Sequence, residues 1–88
     1  DYDQAVDAYR RILDQFPESP RIIANLAQAM FYRAGNVVTP EVREYTQKAL
    51  ALAPMMPEML GLAGIDAKNQ GDYRSAIRYW KTAVQHMD

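Results

Sequence analysis

The chain has 88 residues, enough for one small domain, and such a domain is short of core unless its elements are regular or stack on more of their kind. About half of its residues are apolar, a quarter are charged, and acids and bases are interleaved to a formal net charge of -1. That balance excludes the concentrated basic face that phosphate neutralisation requires, so no nucleic-acid partner is expected. No apolar run approaches the roughly 20 residues of a membrane helix, and the absence of cysteine removes disulfides, thiolate nucleophiles and Cys-based zinc sites.

Five helices are predicted, at about 3–16, 20–34, 40–53, 57–70 and 73–87. In the first, Ala5, Tyr9, Ile12 and Leu13 recur at the spacing of one apolar helix face, and the run closes on Phe16-Pro17. Ser19 is placed to cap the second helix, with Pro20 at the first helical position, where its missing N–H costs nothing. Ile23, Leu26, Ala27 and Met30 then form its buried face, and Gly35-Asn36 supplies the left-handed residue that ends it. Thr39-Pro40 repeats the cap-and-proline start for the third helix, which stops before Pro54. Pro57 opens the fourth behind a poor cap, Met56, and Gly71-Asp72 both ends it and caps the fifth. In the fifth, Ala76, Ile77, Trp80, Ala83 and Val84 are expected to be buried together.

Three of these helices align with one another. Pro17 and Pro54 stand 37 residues apart, and the next proline position falls at Asp88, 34 further on. A period of this length built from helix pairs is the tetratricopeptide signature. The expected fold is therefore all-α, with antiparallel helix pairs stacked as a right-handed superhelix. Residues 1–17 read as the second helix of a repeat, 18–54 as a repeat with an enlarged turn, and 55–88 as a further repeat. On that reading the first helix lacks its hairpin partner. An uncovered apolar face costs about 25 cal/mol per Å², so another helix of a longer protein, or a second copy of the chain, is expected to cover it.

Three runs narrow the resemblance. Leu26-Ala27-Gln28-Ala29-Met30-Phe31-Tyr32-Arg33-Ala34-Gly35 is followed, after the long turn, by Lys48-Ala49-Leu50-Ala51-Leu52-Ala53-Pro54. Leu60-Gly61-Leu62-Ala63-Gly64-Ile65-Asp66-Ala67 and Gly71-Asp72-Tyr73 through Tyr79-Trp80-Lys81 complete the pattern. Together they resemble the periplasmic tetratricopeptide domain of bacterial cytochrome c maturation proteins, the haem-lyase subunits of the CcmI, CycH and NrfG type. The resemblance implies a role in gripping the C-terminal segment of an apocytochrome c, or in contacting other haem-lyase components. It implies a periplasmic setting, with any membrane contact made through other parts of a membrane-anchored protein. Lys68 stands where that family usually carries an aromatic residue.

In such stacks the first helix of each repeat lines the concave surface. The candidate peptide-binding residues are therefore Arg21, Asn25, Gln28, Phe31 and Tyr32 on the second helix, and Leu62, Ile65, Lys68 and Asn69 on the fourth. Amides suit a peptide backbone, while Phe31, Leu62 and Ile65 would take apolar side chains. Phe31, Tyr32, Leu62 and Ile65 also read as inter-repeat packing, and Asn25 as a solvated residue. A carboxylate clamp of the chaperone kind is disfavoured, because Glu58 and Leu62 stand where its final basic pair would be.

No catalytic constellation, metal site or cofactor motif is found, and none is expected. His86 and Met87 are adjacent, so on a helix they point about 100° apart and do not form a haem-ligand pair. Two further roles stay open: a general scaffold in another envelope or secretion assembly, and a helical appendage of a larger enzyme.

Overall fold

The computed structural model describes residues 1–86; Met87 and Asp88, and with them the expected end of the fifth helix and the last proline-equivalent position, lie outside the described residues. Five helices follow in order: α1 (Tyr2–Gln15), α2 (Pro20–Arg33), α3 (Pro40–Leu52), α4 (Pro57–Asn69) and α5 (Tyr73–Gln85). No strand occurs among the described residues.

The ends follow from local chemistry. Asp1, Ser19, Thr39 and Asp72 each accept a hydrogen bond from a backbone N–H of the first turn, while Met56 offers none. α2 ends with Gly35 at φ +76° and α4 with Gly71 at φ +83°. At both ends the two reciprocal backbone bonds of a Schellman turn close the helix, Asn36 N–H to Phe31 and Gly35 N–H to Tyr32, then Asp72 N–H to Ala67 and Gly71 N–H to Lys68. α1 and α3 instead stop on non-helical residues, Phe16 and Ala53, each directly ahead of a proline.

Each helix packs mainly on its neighbours in sequence, α1 on α2, α2 on α3, α3 on α4 and α4 on α5. This serial, antiparallel stacking is the arrangement of a tetratricopeptide-type domain. The core is centred on α2, whose Ile23, Ala24, Leu26, Ala27 and Met30 are buried with Val6, Val42, Ala49 and Met59. Gly64 lets α5 pack closely on α4. A Cβ there would overlap the indole of Trp80, which donates from Nε1 to the Gly61 carbonyl at 3.4 Å.

Two ion pairs extend the stacking beyond single neighbours. Arg10 of α1 donates to Glu41 of α3 at 3.1 Å, and Arg21 of α2 pairs with Glu58 of α4. The helices thus alternate, with α2 and α4 beside each other in one layer and α1 and α3 in the other.

The predicted core needs correction at both ends. Ile77 and Val84 of α5 are 55% and 68% exposed, and Ile12 of α1 is also exposed. The apolar stripe on each end helix is wider than one neighbour can cover. On α5, Ala76 and Ala83 meet α4, while Ile77 and Val84 look away from it.

Candidate functional site

The expected hollow between α2 and α4 is occupied by the protein's own side chains. Leu62 is buried in the α2-centred core and Ile65 packs against it. Phe31 is likewise buried, at 8% exposure. These residues support the inner layer and present little surface. Arg21 is engaged with Glu58, and Lys68 and Asn69 are exposed near the end of α4.

Three of the sequence-derived residues do come together, though in a different place. Asn25, Gln28 and Tyr32 recur on one face of α2 and line a cleft of about 190 Å³ with Tyr2, Ala5 and Tyr9 of α1 and with Ala29. α1 runs antiparallel to α2, so the start of one meets the end of the other. Tyr2 and Tyr32 close that end, with ring centroids 5.6 Å apart and planes tilted by 32°. Phe31 stands edge-on to Tyr32 at 5.5 Å. Arg33 approaches Asp3 at 3.7 Å across the same pair of helix ends.

Repeat register explains the displacement. Asn25 and Gln28 occupy on α2 the positions that Leu62 and Ile65 occupy on α4, one repeat later. On α4 this face meets α2; on α2 it is flanked, within the described residues, by α1 alone. The side chains there are polar, and their amides make no hydrogen bond within the described residues while none of their atoms is buried without a partner. The cleft therefore offers amide and phenol groups for hydrogen bonding over an alanine floor. That pattern suits an approaching backbone or polar helix face.

Tyr2, Ala5 and Tyr9 were not among the sequence candidates. Tyr2 and Tyr9 lie seven residues apart, with Ala5 between them, which places all three along one stripe of α1. That stripe is the readable signal, and it becomes a site only once α2 is set beside it.

A second polar cluster ties the repeats together. Arg43 of α3 donates from Nε and Nη2 to the two carboxylate oxygens of Asp66 on α4, at 2.7 and 2.8 Å, and Gln70 adds a third donor at 3.0 Å. Asp66 is buried, and the Arg43 hydrogen bonds hold its carboxyl below the ordinary range against the opposing effect of burial, with help from Gln70. No group of three or more His, Cys, Asp or Glu side chains is arranged to hold a metal among the described residues. No helix there is long and apolar enough to cross a membrane.

Comparison with known proteins agrees with this architecture. Over 84 residues, 96% of the chain, it is 35% identical to the formate-dependent nitrite reductase complex subunit NrfG of Escherichia coli O157:H7. The cytochrome c-type biogenesis proteins CycH of Pseudomonas aeruginosa and Rhizobium meliloti are 29% and 33% identical over 91% and 94% of the chain. The chain is similar to NrfG and CycH over nearly its whole length. It spans 42% of the NrfG length and 20% and 22% of those two CycH lengths. No protein-family model matches the chain. The five helices of the described residues fit an all-helical stack of repeat hairpins.

Proposed function

We propose that this domain is a non-catalytic module that holds a partner polypeptide during cytochrome c maturation. The guest is the C-terminal segment of an apocytochrome c or a related haem-lyase partner, and the setting is the periplasm, as a domain of a membrane-anchored protein. The observation that carries the reading is the α1–α2 cleft, which Asn25, Gln28 and Tyr32 line together with Tyr2 and Tyr9. The roles named for these relatives, cytochrome c-type biogenesis and a nitrite reductase complex, support the choice of guest. Asn25 and Gln28 hydrogen-bond the guest, and the tyrosine rings flank it with apolar area and polar tips.

The test is calorimetric titration with C-terminal apocytochrome c peptides. Saturable binding is expected, weakened about ten-fold by combined Asn25→Ala and Gln28→Ala, as for the loss of one or two hydrogen bonds. Absence of saturable binding at millimolar peptide, with the domain folded, would refute the proposal.

A further inference from the structure

We infer that copies of this domain associate head to tail, the acidic outer stripe of α1 in one copy lying along the basic outer stripe of α5 in the next. The two stripes hold the same repeat positions. Asp3 and Asp7 of α1 correspond to Arg74 and Arg78 of α5, and Glu44 of α3 shares the position of Asp7 and Arg78. These positions stand on the outside of the α1–α3–α5 layer. α3 packs on α2 and on α4, yet Glu44 and the neighbouring Lys48 are exposed. On α5 the stripe lies away from Ala76 and Ala83, which meet α4. Adjacent repeats therefore leave it open, and whatever covers it comes from outside the stack.

Charge runs along this layer from negative to positive. α1 carries Asp3, Asp7 and Asp14, with Arg11 at the flank; Arg10 is engaged with Glu41, and Arg33 of α2 approaches Asp3. Acids and bases balance on α3, whereas α5 bears Arg74, Arg78 and Lys81 with no Asp or Glu from Tyr73 to Gln85. Asp7, Asp14 and these three cations are exposed and form no ion pair among the described residues. Asp72, just ahead of α5, accepts from the Ser75 N–H as the helix cap. Arg74 stands in the first turn of α5, where a cation opposes the helix dipole, while Asp3 in the first turn of α1 complements it. Helix stability therefore does not account for the basic stripe, and a facing acid does. α1 of a second copy supplies that acid at the right spacing. Asp7 and Asp14 are two turns apart, about 10.5 Å, and so are Arg74 and Lys81. With a net charge of only -1, overall repulsion between copies is slight. A contact between two different faces leaves one of each free, so the association is open-ended.

Sedimentation velocity of the domain tests this. At about 20 mM salt, where charges are felt beyond the contact distance, the average mass is expected to rise with concentration up to about 1 mM. At about 500 mM salt the association should disperse. Asp7→Arg and Arg78→Asp, each at an exposed site where folding is checked by circular dichroism, should each weaken it about five-fold or more, as for reversal of an exposed pair. An equimolar mixture of the two variants should recover the association, because each supplies the charge that the other has lost. The inference is overturned if the domain stays monomeric at low salt, or if either reversal leaves the association unchanged. It is also overturned if the mixture associates no better than its components. Binding to phosphatidylglycerol vesicles in place of self-association would overturn it too, assigning the α5 stripe to anionic headgroups. Neither variant alters a residue of the α1–α2 cleft, so these outcomes are independent of peptide binding there.

Discussion

Gly64 and Gly61 lie one turn apart on α4 and serve opposite ends. A side chain at Gly64 collides with Trp80, whereas a Cβ at Gly61 meets nothing within 4 Å. Gly64→Ala should therefore destabilise the domain by about 1–3 kcal/mol through overpacking. Gly61→Ala should stabilise it by up to about 1 kcal/mol, the helix-propensity difference. Urea unfolding measures both. That Trp80 needs only one of these two glycines becomes visible once α5 is packed on α4. Asp66 is the other residue whose role depends on its surroundings. Its carboxyl titrates below its unfolded range because Arg43 hydrogen-bonds it, so its contribution is fully present above the unfolded carboxylate range. It is lost as pH falls through the folded value. Asp66→Asn should lower the melting temperature at neutral pH and flatten its decline on acidification. An unchanged acid limb in the thermal melts would contradict the assignment.

At the scale of the helix, most boundaries were legible because they rest on local chemistry. Ser19-Pro20, Thr39-Pro40, Gly35 and Gly71 act within one turn of themselves, and the observed ends fall within two residues of the expected ones. Ser19→Ala and Thr39→Ala should each cost about 1 kcal/mol, while Met56→Ser should give no net gain, because the cap it adds is offset by the core packing that the Met56 side chain loses. Thermal denaturation tests all three. Which part of an apolar stripe is covered was less legible. α5 carries Ile77, Ala83 and Val84 on one broad face, and periodicity alone cannot say that α4 covers only its alanine side. The same limit bears on the candidate residues: Leu62 and Ile65 pack into the core while Asn25 and Gln28 stay half-exposed, because neighbours differ between repeats.

For the whole molecule, serial stacking gives each helix its contacts from adjacent repeats, so equivalent positions change character along the stack. The Val6 position is buried on α1, charged and paired on α3 as Arg43, and open on α5 as Ile77. The repeat period made the stack readable from sequence; the free faces emerged only when the register was laid over the packing. Among the described residues the α1–α2 cleft is such a polar face, and the outer side of α5 is an apolar one flanked by basic residues. The most direct measurement is amide chemical-shift mapping of the folded domain during titration with a C-terminal apocytochrome c peptide. Saturable shifts concentrated at Tyr2, Tyr9, Asn25, Gln28 and Tyr32 are expected, with α5 unmoved; no shifts, or shifts centred away from α1 and α2, would contradict the account.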